Sequence, residues 1–189
     1  MFLLSPARLN GRRGAQVMSD TADFALATEL RSANGATVAS VFSFVSGLYF
    51  RGKVEYARAF GRATGLASAH VLTAGGGLCG LDERVTIARL RRWMEVSIHE
   101  NNPHFTAPLV RHATELAATH DPRTRFVLLG SVATKKYVEP LLEVFGERLL
   151  FPTDFEGRGD MSRGSLMLRA ARERRELSYS PLISRTRST

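Results

Sequence analysis

Thr37-Val-Ala-Ser-Val-Phe-Ser-Phe-Val45 is rich in β-branched and aromatic side chains, and by that composition it is the clearest strand in the chain. It runs into Ser46-Gly-Leu-Tyr-Phe-Arg-Gly-Lys53, after which Val54, Ala57 and Gly61 share one helical face. Three later apolar segments read as strands: Ala69 to Thr73, Arg125 to Leu129 and Leu149 to Phe151. Helical stripes fall between them. Ile87, Leu90 and Met94 form one, and Leu109, Ala113 and Leu116 lie on another from about Phe105 to Thr119. Val138, Leu141, Leu142 and Phe145 form the strongest, closed by Gly146 as the residue just past the helix. Strands alternating with helices predict an α/β fold. The expected architecture has three layers, with a mostly parallel central sheet of about four strands flanked by helices.

The ends of the chain read differently. Residues 1–17 combine Pro6, Gly11 and Gly14 with arginines and show no apolar stripe, which predicts a disordered N-terminal extension. Met18-Ser-Asp-Thr offers an alternative start that would make those residues an addition to the folded chain. A short helix is expected from about Thr21 to Arg31, ended by Asn34-Gly35. The segment Ser165 to Arg175 is read as a helix, with a terminal hairpin through Tyr179 as the alternative. Residues 18–175 thus form a single α/β domain, and 176–189 a flexible basic tail.

Composition narrows the function classes. A chain of 189 residues, 44% of them hydrophobic, suffices for one packed core without disulfides or metals. The lone Cys79 cannot form an internal bridge, and no apolar run approaches the ~20 residues of a membrane span. The reading is a cytoplasmic protein with no membrane attachment. The net charge of +8 is concentrated at the ends: +3 in residues 1–17 and +3 in 172–189, leaving +2 for the span between. A basic face on the folded core would show clustering within the fold, and here the excess sits in the terminal segments.

Function is expected where the strands end. In a parallel α/β sheet all carboxyl ends of the strands lie on one edge, and ligands bind there where the strand order reverses. Four polar, Gly-containing segments follow the expected strands: Ser46–Lys53, Gly75–Asp82, Ser131–Tyr137 and Thr153–Arg163. They are expected to meet. Gly47 and Gly52 would let backbone approach a ligand, while Arg51 and Lys53 supply donors for an anion near a helix start. Gly75 and Gly76 belong to a tight loop that lacks the G-x-G-x-x-G order of a dinucleotide site. Ser131, Thr134, Lys135 and Tyr137 add hydroxyl and ammonium donors, with Ser131 or Thr134 equally readable as a helix cap. Arg158 and Arg163 flank Asp160 in a long loop, and Asp160 is the candidate acid or base, or else a cap for the next helix.

Other motifs carry less. His99 and His104 are five residues apart, so on a helix they diverge by about 140°, and Pro103 interrupts. Cys79 has no His or Asp close in sequence to activate it, and Trp93 reads as core. Neither a cofactor nor a metal is predicted.

Leu48-Tyr49 with Arg51, Thr73-Ala74 with Gly77-Leu78, Tyr137 after the third strand, and Gly157-Arg158-Gly159 leading to Gly164 occur in this order over roughly residues 40–170. In this pattern the chain resembles the bacterial peroxide-stress (YaaA-type) family and a related uncharacterised α/β domain family, distantly similar to uracil-DNA-glycosylase-like folds. The resemblance implies nucleic-acid binding or base-related chemistry. The chain departs from the glycosylase pattern: its first loop lacks a water-activating acid, no His-Pro-Ser follows the last strand, and the first strand lacks a Cys-Ser-Lys start.

Three readings follow, the last being a scaffold with no ligand, which an exposed apolar patch in place of a cleft would suggest. In the first, a nucleotide or nucleic-acid component is bound at the strand ends and, in an enzyme, processed there. Tyr49 stacks on the base, Arg51, Lys53 and Lys135 hold phosphate, and Asp160 serves as acid or base. That arrangement requires Arg51 and Lys135 to lie on the same face. In the second, a non-catalytic DNA- or RNA-binding stress-response protein uses its basic tail.

Overall fold

The computed structural model of the chain describes residues 1–61, 68–132 and 135–182. Thr134, and Arg185 and Arg187 of the basic tail, lie outside the described residues. The fold is α/β, built on a six-stranded, mostly parallel sheet. Its strands are β1 (Phe2–Leu4), β3 (Ala69–Thr73), β4 (Gly77–Gly80), β6 (Phe126–Leu129), β7 (Leu149–Pro152) and β8 (Tyr179–Pro181), in the order β4-β3-β1-β6-β7-β8. The four inner strands are parallel, and β4 and β8 add antiparallel edges. A separate ribbon pairs β2 (Ala36–Thr37) with β5 (Arg84–Val85).

The sheet contains the four parallel strands expected, but one of them is a different segment. Thr37 is the cap of a helix, α3 (Val38–Ser46), and its hydroxyl accepts from the Ser40 N–H. Val38, Val41 and Phe42 are buried at helical spacing, so that stripe, packed against the next helix, overrides the β-propensity of the run. Residues 2–4 take the expected strand's place. They are not part of a disordered extension: Phe2, Leu3 and Leu4 are buried, and pair with Ala69–Val71 on one side and Val127–Leu129 on the other. A chain starting at Met18 would lack the centre of its sheet. The helices α1 (Arg12–Val17) and α2 (Ala25–Arg31) follow, with Gly14 pressed on the Leu9 backbone and Val17 buried. The tail is likewise part of the fold as far as Leu182, because β8 pairs with β7.

The remaining helices sort by sheet face. One group is α3, α4 (Leu48–Phe60) and α8 (Asp160–Glu173), with α4 packed on both of the others. The other joins α6 (Pro103–Thr119) and α7 (Lys135–Phe145), while α5 (Ile87–Met94) buries Leu90 and Trp93. Phe2 meets Tyr56 of α4 edge-on, and Phe126 stacks on Phe145 of α7. Phe2 is level with Val127, and successive strand side chains alternate, so Phe126 faces the opposite side. The two helix groups therefore cover opposite faces.

Candidate site at the end of the central strand

From β1 the chain crosses to β3 on one side and later to β6 on the other. Strand order thus reverses between β1 and β6, the position where an open α/β sheet leaves a crevice at its carboxyl edge. Ser5 and Gly130 are the residues immediately beyond those two strands. Ser5 is 7% exposed and continues the ladder, its N–H donating to the Leu129 carbonyl at 3.2 Å. A Cβ on Gly130 would stand 2.8 Å from Ser5 Oγ, so only glycine lets the two strand ends lie this close.

Lys53, on the second turn of α4, reaches this point. Its side chain is 1% exposed, and Nζ donates to the Ser5 carbonyl at 3.0 Å and to Ser5 Oγ at 2.7 Å. The ring of Tyr49, one helical turn earlier, lies beneath Nζ with its centroid 4.0 Å away. Burial drives the Lys53 ammonium down to about pKa 7. The negative charge of Asp160 opposes that shift, and the positive charge of Arg163 adds to it. Among the described residues no carboxylate forms an ion pair with Lys53.

The start of α8 supplies the second half of the site. A Cβ on Gly52 would lie 2.7 Å from the Gly164 carbonyl oxygen, and one on Gly164 would lie 2.9 Å from the Leu48 oxygen and the Tyr49 Cα. The two helices cross at these glycines. The crossing sets Arg163 beside Tyr49, where its guanidinium offsets part of the burial that pushes the phenol up to about 12. The Tyr49 hydroxyl is buried and makes no hydrogen bond of good geometry among the described residues. Arg163 donates Nε–H to the Phe155 carbonyl at 3.2 Å and lies 3.8 Å from Asp160. Asp160 is exposed in the first turn of α8, where a carboxylate suits the helix dipole.

The expected four-segment convergence is therefore incomplete. Ser46–Lys53 and Thr153–Arg163 meet through α4 and α8, although the first joins two helices and does not follow a strand. Gly52 serves the crossing, not a ligand. Tyr49 is 8% exposed beneath Lys53 and offers no free face for a base. Arg51 is exposed on α4, while Lys135, on α7, is ion-paired with Glu139 at 3.2 Å. They stand on helices covering opposite sheet faces, so the paired phosphate grip expected of them does not form. Ser46 is half-buried at the end of α3 and Ser131 half-buried beyond β6. Tyr137 is buried edge-on against Phe105, its phenol pushed up to about 12 by burial with Arg8 pulling the other way. Arg158 turns back to the Asp154 carbonyl and the Ser162 hydroxyl.

Gly75-Gly76-Gly77 belongs to the hairpin between β3 and β4. Thr73 Oγ1 donates to the Gly77 carbonyl and accepts from the Gly76 N–H, and Gly75 and Gly76 pack on Val96 and Trp93. Its place at a strand end is legible in the sequence, but the next element is a strand and not a helix. Cys79 is buried, and burial pushes its thiol up to about 11, which leaves it protonated at neutral pH. Ser5 and Gly130 are the site residues that sequence reasoning misses. The available signal is Phe2-Leu3-Leu4 followed by Ser5-Pro6, a short apolar run ended by turn residues.

A cleft of about 320 Å³ opens toward the other edge of the sheet, between Met1, Phe2, Arg125 and Tyr179. No helix among the described residues is long and apolar enough to cross a membrane, and no group of three acidic, His or Cys side chains there could hold a metal ion. No protein-family model, curated protein or solved structure matches the chain.

Proposed function

We propose that the chain binds the phosphate of a nucleotide or nucleic-acid component at the carboxyl edge of the sheet, beside Tyr49, Lys53 and Arg163. The observation that carries this reading is the Tyr49 hydroxyl, buried without a well-formed hydrogen bond next to a guanidinium. A buried donor left unmade costs about 1 to 3 kcal/mol, and an anion accepting from Tyr49 and Arg163 would remove that cost. The Arg163 guanidinium, a permanent cation beside the buried phenol, favours a negative ligand, and the place is the one where α/β sheets bind nucleotides. The resemblance to the peroxide-stress (YaaA-type) family supports the nucleic-acid side of the reading.

The test is calorimetric titration of the full chain with AMP, ATP, inorganic phosphate and a short single-stranded DNA. Binding is expected, with Arg163→Gln and Tyr49→Phe each weakening it about tenfold, the loss of one charge-assisted hydrogen bond. Variants that bind as tightly as the wild type would overturn it. The tail-based alternative predicts binding lost on removal of residues 172–189, but that cut also removes β8. Neutralising Arg174 and Arg175 tests it without touching the strand.

A further inference from the structure

We propose that Ser5 and Lys53 form a nucleophile–base pair for acyl transfer, with Ser5 Oγ attacking the carbonyl carbon of an ester or thioester and Lys53 Nζ accepting its proton. The proposal rests on the same sheet edge as the anion site, but it requires neither the Tyr49 hydroxyl nor the Arg163 guanidinium.

The geometry accommodates an uncharged amine as well as an ammonium. A neutral lysine has two N–H donors and one lone pair. The Ser5 carbonyl at 3.0 Å takes one donor and the Tyr49 ring face, 4.0 Å away at its centroid, takes the other. In that form the hydrogen bond to Ser5 reverses, and the lone pair accepts the proton of the hydroxyl whose Oγ lies 2.7 Å from Nζ. Hydroxyl and amine within hydrogen-bond reach, with the base itself oriented by a third group, is the arrangement by which serine is activated as a nucleophile.

The surroundings bring that form within reach near neutrality. It is fully buried, and burial lowers it to about pKa 7. The groups bearing on it are Asp160 and Arg163 of α8, with opposite effects, and Tyr49 of its own helix. The helix α3, packed on α4, carries no ionisable side chain, and the end of β1 presents only the uncharged Ser5. Gly130 lies directly against the nucleophile, where any Cβ would press within 2.8 Å of Oγ.

The step balances without a cofactor. The Oγ–H proton passes to Nζ as the Oγ–carbonyl carbon bond forms. The bond to the leaving oxygen or sulfur then breaks, and the leaving group takes the proton from Nζ. Water repeats the sequence with Ser5 as leaving group, releasing the acid.

The test is reaction of the full-length chain with an alkyl fluorophosphonate, located by peptide mass spectrometry. Ser5 Oγ would displace fluoride and form the Oγ–P bond. The expected result is an adduct at Ser5, formed roughly tenfold faster at pH 8 than at pH 6 as Lys53 loses its proton, and slowed at least a hundredfold in Lys53→Met. Gly130→Ala, which retains both partners, is expected to slow it as well. A wild-type chain that gives no Ser5 adduct at pH 8 overturns the proposal, as does labelling with the same rate at both pH values. Both of these results are read on the wild type, whether or not the Lys53 variant folds. Labelling needs no nucleotide, and nucleotide binding is read without the probe, so failure of either reading leaves the other standing.

Discussion

The ends of β1 and β3 are neighbours at one edge of the sheet, and each holds a buried hydroxyl, Ser5 at 7% and Thr73 at 1% exposure. They satisfy it in opposite ways. Thr73 closes its own turn, bonding to Gly76 and Gly77 within four residues. Ser5 depends on Lys53, which arrives from a helix 48 residues later and brings a buried amine. A polar residue satisfied within its own turn stabilises that turn. One satisfied only by a distant titratable group links the fold to protonation, and that coupling gives the first end a chemistry the second lacks.

The largest effect expected from this contrast is on pH dependence. Because the folded-state pKa of Lys53 lies near 7 and the unfolded value near 10.5, the unfolded chain binds more protons between those values. Stability should therefore rise with pH across that window, by roughly 4 kcal/mol at most, and below pH 7 the whole cost of burying the charge is present. Urea denaturation of the wild type and Lys53→Met at pH 7 to 10 isolates this slope, since the buried tyrosines titrate higher. Equal slopes in the two proteins would place Ser5 in the same class as Thr73.

Next in size is the helix crossing that brings Arg163 to the β1 end. Gly164→Leu forces a Cβ against the Leu48 carbonyl and the Tyr49 backbone, and should cost about 3 kcal/mol or more. Denaturant unfolding with an unchanged midpoint would show that the crossing does not hold the site. The smallest effect is expected at the β3 end. Thr73→Val removes both bonds of the turn and should cost about 1 to 2 kcal/mol, while leaving Ser5 labelling at the wild-type rate. A labelling rate that falls with it would join the two ends into one functional unit.

How well each part can be read from the sequence follows the same division. Strands of four or five apolar residues, such as Ala69–Thr73 and Phe126–Leu129, stand out between turn signals, and the Val138–Phe145 stripe is a helix in the folded chain. The long loop expected to carry Asp160 and Arg163 is in fact the first turn of α8, which begins at Asp160 rather than Ser165 and is capped by Gly159, while Lys53 is legible as a basic residue near a helix start. What Lys53 does there is not legible. Its neighbours in sequence suggest a donor reaching out to an anion, whereas the fold places it at 1% exposure. The proline, glycines and arginines that follow Phe2–Leu4 mask a strand too short to show a period.

From composition and periodicity alone came the α/β class, three of the four parallel strands and most of the helices, because each of these depends on residues within one helical turn or a few pleats of each other. The identity of the central strand, the helical fate of Thr37–Val45 and the meeting of Ser5 with Lys53 were settled only in three dimensions. A three-residue strand is defined by the partners on either side of it, and a buried amine by what closes over it. Both sets of neighbours lie many tens of residues away along the chain.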